Sequence, residues 1–222
     1  MIIGLIGQKR VGKDTVANIL KNIDVACDFK CMALADPIKD IARIMFSFTE
    51  EQLYDDAKDV IDPKWGIKPR DFFEQFGTNI MQFDIYKYLP NLETHVEKRL
   101  FWVHSLLAKL KDYDNNTNTN TNIIITDIRG THEICEINKF TGEKAIFIRI
   151  VKEIEKKKDK NDKNDKNDKN KNNITSSHIT QREPNEIPDK YIFDTIINDG
   201  TLEELKKKVE NVWKRIEDIN LI

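Results

Sequence analysis

Two glycines, three cations and a hydroxyl fall within nine residues of one another in Gly7-Gln8-Lys9-Arg10-Val11-Gly12-Lys13-Asp14-Thr15. Glycines let main-chain N–H groups turn inward around phosphate oxygens, and a helix that starts at the end of such a loop adds partial positive charge. The apolar run Met1–Ile6 precedes the loop and a helical pattern, Val16–Ile23, follows it, which is the strand-loop-helix setting that a triphosphate cradle requires. Gly7, Lys9, Arg10, Val11, Gly12, Lys13, Asp14 and Thr15 therefore form a candidate ATP-binding set, with Lys13 bridging the β- and γ-phosphates. The residue after the lysine is usually Ser or Thr, whose hydroxyl binds Mg²⁺. Here it is Asp14, a carboxylate that can serve the ion directly or through water, which leaves Thr15 for the α-phosphate.

A second chemical landmark is Ile123-Ile124-Ile125-Thr126-Asp127-Ile128-Arg129. An acid at the end of an apolar strand is placed to hold the Mg²⁺ shell of a bound nucleotide, so Asp127 joins Asp14 as a candidate metal ligand, partly through water. Arg129 brings a fork-shaped cation to the same crevice, suited to a phosphate or to the charge that develops as one is transferred.

These side chains need a scaffold with several strand ends at one edge. The pattern predicts strands at Met1–Ile6, Ala26–Leu34, Ile123–Thr126, Ala145–Val151 and Phe193–Ile197. Helices are predicted from Val16 to Ile23, from Asp36 to about Phe46, from Pro69 to about Phe83, over Glu93–Lys111 and Glu133–Phe140, and from Thr201 to near Ile219. Asp36 is expected to cap its helix with Pro37 in the first turn. Thr49 with Gln52, and Thr201 with Glu204, read as capping boxes. Asp55–Lys68 reads as irregular, and Asp114–Asn122 as a polar loop. Lys156–Asn173 repeats Asp-Lys-Asn without an apolar residue and is expected to be disordered. Strands alternating with helices predict an α/β fold with a parallel sheet of about five strands.

Composition narrows the function classes. Of 222 residues, 39% are apolar and 33% charged, and the net charge is −2. The basic excess of a nucleic-acid binder is missing, so no nucleic-acid partner is expected. Nor is a membrane partner, since Met1–Ile6 runs straight into the glycine loop. Cys27, Cys31 and Cys135 lack metal or redox spacing and read as small core residues of a protein in a reducing, cytoplasmic compartment. The aromatic set Tyr54, Trp65, Phe72, Phe73, Phe76, Phe83 and Tyr86 reads as mostly core.

The chain resembles the deoxynucleoside monophosphate kinases of phages and large DNA viruses, which are related to adenylate kinase. The resemblance rests on the loop with its unusual Asp14, on Leu34-Ala35-Asp36-Pro37-Ile38-Lys39, and on Pro69-Arg70 followed by Gln75 and Gly77-Thr78. It continues in Asp127-Ile128-Arg129 with Glu133, in His178-Ile179-Thr180-Gln181, and in Asn198-Asp199-Gly200-Thr201. It implies a three-layer P-loop kinase fold in one domain. The core would be about 1–46, 120–151 and 190–222, the helical acceptor-binding insertion about 47–113, and the lid with its disordered insertion about 152–189. It also implies roles. Arg70 and Arg129 grip the acceptor 5′-phosphate, Asp36 faces its sugar or base, and Gln75 and Thr78 read the base edge. Lys152 and Arg182 close from the lid, and the turn around Asn198–Gly200 lies near the adenine of ATP. Lys13, Asp127, Arg129 and Arg182 are the implied catalytic set, ATP and Mg²⁺ the implied cofactors, and a homodimer the implied assembly. Gln181 and Lys152 depart from the family pattern, which has Glu and Arg there. The Asn- and Lys-rich tracts suggest an A/T-rich genome such as that of a large virus, with the host cytoplasm as location. The crowded aromatic segment leans toward a one-ring base. Two other readings stand beside this one: a P-loop kinase for another small phosphorylated acceptor, such as the animal-type phosphomevalonate kinases that share Gly-Lys-Asp, and an ATP-binding module without turnover.

Overall fold

The computed structural model describes residues 1–23, 28–117, 122–152 and 183–220. Among them a five-stranded, all-parallel sheet runs in the order β2-β3-β1-β4-β5. The strands are β1 (Ile2–Ile6), β2 (Lys30–Met32), β3 (Ile123–Ile128), β4 (Ile146–Val151) and β5 (Asp194–Ile197). Parallel strands are covered on both faces and read as unbroken apolar runs, and β1, buried at all five positions, lies at the centre.

The alternation of side chains along each strand sorts the core into two layers. Ile2, Ile6, Ile123, Ile125 and Phe147 face one side, with α2 (Asp36–Phe46), α6 (Phe101–Thr117) and α7 (Thr131–Thr141) contributing Ile38, Leu106, Leu110, Ile134 and Ile137. Ile3, Leu5, Ile124, Ile148 and Ile150 face the other. There α1 (Lys13–Ile23) supplies Val16, Ala17 and Leu20, and α8 (Leu202–Asn220) supplies Leu205, Val209, Val212, Trp213 and Ile216. The result is the three-layer α/β arrangement of a P-loop kinase. Gly4 allows close packing at the centre, since a Cβ there would lie 2.5 Å from the Phe147 ring.

Both capping boxes form. Thr49 accepts from Gln52 N while Gln52 Oε1 accepts from Thr49 N at 2.9 Å, opening α3 (Glu50–Tyr54). Thr201 N donates to Glu204 Oε2 at 2.7 Å at the start of α8. Other expectations need correction. The second strand is the short edge segment Lys30–Met32, and Cys31 on it is exposed rather than in the core. The helix expected over Glu93–Lys111 instead starts at Phe101 and continues to Thr117, into the segment read as a polar loop. A single 3₁₀ turn covers Pro90–Thr94, and Arg99 at φ +73° keeps the two apart, because a left-handed residue cannot continue a right-handed helix. Asp36 is the first residue inside α2, not its cap, and its Oδ2 accepts from Ala33 N at 2.7 Å. Within the stretch read as irregular, Asp56–Asp59 forms a 3₁₀ turn. Of the aromatic set, Phe72 and Phe76 stack with centroids 5.0 Å apart, whereas Tyr54, Trp65 and Phe83 are exposed. Cys27, Lys156–Asn173, His178, Gln181 and Arg182 lie outside the described residues.

Pro69 opens a continuous helical rod: α4 (Pro69–Glu74), ten residues of wider i→i+5 bonding over Gln75–Asp84, then α5 (Ile85–Tyr88). Trp102 of α6 donates its indole N–H to the Gly77 carbonyl at 2.6 Å, fixing the wide segment against the core. Replacing Trp102 with Phe leaves that buried carbonyl without its donor and is expected to cost about 1–2 kcal/mol. The measurement is the urea midpoint, and an unchanged midpoint would show that the bond contributes nothing.

Candidate phosphate-binding site

In a parallel sheet all strands end at one edge, and ligands bind in the crevice outside their carboxyl ends. β1 feeds its loop into that crevice, with β3 and β4 as neighbours. Gly12 lies at φ +98°, which L side chains rarely adopt, and a Cβ on it would come within 2.3 Å of Asn198 Nδ2. Asn198, at the end of β5, donates from that nitrogen to the Val11 carbonyl at 2.8 Å, and its own N–H donates to the Val151 carbonyl at 2.7 Å. The far strand thus props the loop from behind, and Asn198 meets the loop itself.

Lys13 lies across the loop and donates its ammonium to the carbonyls of Gly7 at 2.9 Å and Gln8 at 2.7 Å. Burial, helped by Arg129, draws its pKa down to about 8 against the opposing pull of Asp14 and Asp127. A partly desolvated cation of this kind gains most from an arriving phosphate. Asp14 and Thr15 are exposed in the first turn of α1, where the helix start favours anions.

Asp127 owes its direction to a bulge. Ile125 pairs with Gly4 and Ile128 with Ile6, so β3 has one residue more than β1 in between. The extra residue turns Asp127 away from the apolar layer that its alternation would otherwise give it. Its Oδ1 accepts from Leu34 N at 2.7 Å and its Oδ2 from Ala35 N at 3.1 Å. These are the two amides just before α2, whose N-cap position is Ala35 and which has no side-chain cap, so Asp127 anchors the approach to the helix while Asp36 fills its first position. Burial raises the pKa of Asp127, while Arg129 and the two amides oppose the rise. Each carboxylate oxygen has a second lone pair, so contact with a hydrated ion remains possible. Among the described residues no group of three or more His, Cys, Asp or Glu could hold a metal. Mg²⁺ beside a nucleotide takes one or two carboxylates and otherwise phosphates and water, and Asp14 with Asp127 fits that pattern.

Arg129 and Glu133, one motif in the sequence, are directly connected. The buried Glu133 accepts from Arg129 N at 2.6 Å and Gly130 N at 3.0 Å, holding the turn that presents Arg129. Burial lifts Glu133 to about 7 against the pull of those amides. The ring of His132 covers Gly130, and burial, then the charge of Arg99, lowers it to about 4.

Of the acceptor-side candidates, Arg70 meets the acidic turn Asp56–Asp59. Arg70 pairs with Asp59 through Nε and through NH2, the latter at 3.1 Å. Lys9 of the loop reaches the same carboxylate at 3.5 Å, and Arg10, at φ +65°, pairs with Asp56. Lys58 and Lys39 add charge nearby: burial, then Arg70, Lys9 and Lys39, lowers the pKa of Lys58. Gln75 is exposed on the wide helical segment and accepts from Asn79 Nδ2 at 2.8 Å, while Thr78 is buried. Lys152 is exposed just beyond β4, and Gly200 lies in the turn before α8. Lys13, Asp14, Asp127 and Arg129 therefore form one electrostatic group, and Lys9, Arg10 and Arg70 meet on a second, acidic turn. The only sequence sign of that turn was the acid run Asp55-Asp56 and Asp59.

The family model described as deoxynucleotide monophosphate kinase matches residues 1–64, from β1 through the loop, α1, β2, α2, α3 and the acidic turn. It supports the family that the sequence resembles. No curated protein matches the chain.

Two outcomes test this geometry. Gly12→Ala combines an unfavourable φ with the clash at Asn198 and should lower stability by at least about 1 kcal/mol, read as a lower melting temperature together with weakened ATP binding by calorimetry. His132 has a folded pKa below its unfolded value, so the folded state binds fewer protons between about 6.5 and about 4. Its contribution is present above that window and is lost as pH falls through it. His132→Gln should flatten that part of the melting-temperature profile.

Proposed function

We propose that the chain transfers the γ-phosphate of ATP to the 5′-phosphate of a deoxynucleoside monophosphate, giving the diphosphate and ADP. The observation that carries this reading is the glycine loop at the end of the central strand, with Lys13 lying over the Gly7 and Gln8 carbonyls and Asp127 and Arg129 ending the adjoining strand. The family match over residues 1–64 supports it.

The attacking atom is an oxygen of the acceptor phosphate, ionised at neutral pH, so no strong general base is needed. It forms a bond to the γ-phosphorus as the bond to the β–γ bridging oxygen breaks, and ADP leaves. Such transfer depends on positioning and charge neutralisation. Loop amides and Lys13 hold the β- and γ-phosphates, and Thr15 meets the α-phosphate. Asp14 and Asp127 would hold Mg²⁺, partly through water, and the ion would supply charge that neutralises the phosphates. Arg129 faces the phosphoryl in transit, and Arg70 holds the acceptor phosphate. Asp36, Gln75 and Thr78 are assigned to the acceptor sugar and base, and Asn198 and Gly200 to the adenine side. Lys152 and Arg182 are assigned to a closing lid that excludes water. The crowding of Phe72, Phe73 and Phe76 favours a pyrimidine.

Lys13→Ala is expected to reduce transfer at least ~10²-fold, as loss of a charge partner in the transition state does. The measurement is a coupled ADP assay with dCMP, dTMP, dGMP and dAMP in parallel, with mevalonate 5-phosphate as a control acceptor. Turnover of Lys13→Ala at the parent rate removes the assignment of the loop. Transfer to mevalonate 5-phosphate alone replaces the acceptor class.

A further inference from the structure

Asp59 occupies an unusual position between the two halves of the site. One oxygen faces Arg70 Nε and the other Arg70 NH2 at 3.1 Å, and the second oxygen also lies 3.5 Å from Lys9 Nζ. A single carboxylate thus touches the cation of the ATP loop and the cation assigned to the acceptor phosphate, which come from distant parts of the chain. The pairing to Arg70 is side-on. A guanidinium has five N–H donors in a rigid plane, and a side-on carboxylate fixes that plane while leaving the end-on fork of NH1 and NH2 for a second anion. Lys58 and Lys39 lie close enough for their charges to bear on the same cluster, and Glu74 and Asp71 bear on Arg70 alongside Asp59. The hydrogen bond from Arg70, with Lys9 helping, lowers the pKa of Asp59 to about 2, so it stays ionised throughout the neutral range.

We infer that Asp59 is a positioning residue, which aims the end-on fork of Arg70 at the acceptor phosphate and ties that fork to Lys9 of the ATP loop. The inference rests on the proposed function for the identity of the phosphate but not for the geometry. A surface ion pair with no such duty would contribute little and could be lost without effect. An aiming pair makes the contribution of Arg70 depend on Asp59.

The test is a double-mutant cycle on the full chain, with Asp59→Asn, Asp59→Glu, Arg70→Ala and the Asp59→Asn/Arg70→Ala pair. Binding of each of the four common deoxynucleoside monophosphates is measured by calorimetry, and turnover with ATP is measured in parallel. Asp59→Asn should raise the acceptor Kd and KM about tenfold, within the range of coupling between contacting charged groups, with a smaller change in kcat. Asp59→Glu should recover part of the loss, and in the Arg70→Ala background Asp59→Asn should change acceptor affinity by less than about twofold. An equal loss in both backgrounds would show a merely structural residue, and no loss in the parent would show an idle surface pair; either overturns the inference. Failure of Arg70→Ala to weaken binding overturns it as well. Binding that follows the cycle without any turnover would remove the kinase reading and keep this one. Turnover with a flat cycle would do the reverse, and a parent chain that binds none of the four removes both.

Discussion

The carboxylate of Asp127 closes the carboxyl edge of the sheet. It leaves β3 through a bulge and takes the Leu34 and Ala35 amides at the mouth of α2. Backbone N–H groups turned from water must find acceptors, and a buried carboxylate must find donors. Here each need meets the other across strands that are far apart in sequence. The clasp fixes how α2 leaves the sheet and so where Asp36 and Lys39 fall, and it sets Asp127 beside the loop of β1. Without it the crevice would lose one wall and its anion together.

Around that clasp the cations are held in graded ways. Lys13 is laid over main-chain carbonyls, Arg129 is presented by a turn that Glu133 secures, and Arg10 and Arg70 are held by exposed acids. Main-chain acceptors and a buried glutamate are rigid partners, whereas the pairs with Asp56 and Asp59 are open to solvent. In the proposed reaction the end that faces the phosphoryl group is thus the preorganised part, and preorganisation of charge is what transfer of that kind rewards.

Much of this architecture was readable because its causes are local. Long all-apolar runs gave β1, β3 and β4, and a hydroxyl with an acid or amide three residues on gave the starts of α3 and α8. The glycine loop was legible because spacing alone carries its meaning. What escaped depends on partners remote in the chain. The short edge strand at Lys30–Met32 has too few residues to form a pattern, and the left-handed Arg99 is not a glycine that would announce a helix break. The bulge at Thr126–Asp127 exists only relative to β1, so no inspection of β3 by itself reveals that Asp127 turns to the amides ahead of α2. The wide turn of Gln75–Asp84 reads as ordinary helix, since its apolar spacing suits either ladder. The acidic turn was visible only as composition, because its meaning lies in Lys9, Arg10 and Arg70 arriving from elsewhere.

Asp56 and Asp59 also shape the approach of a ligand. Because each already sits against an arginine, the positive field that these cations project into solvent is muted within a few ångströms of the surface. These two pairs therefore add little to the long-range steering of an anion. What these two arginines offer an anion, they offer at contact, where it meets guanidiniums already oriented by their acids.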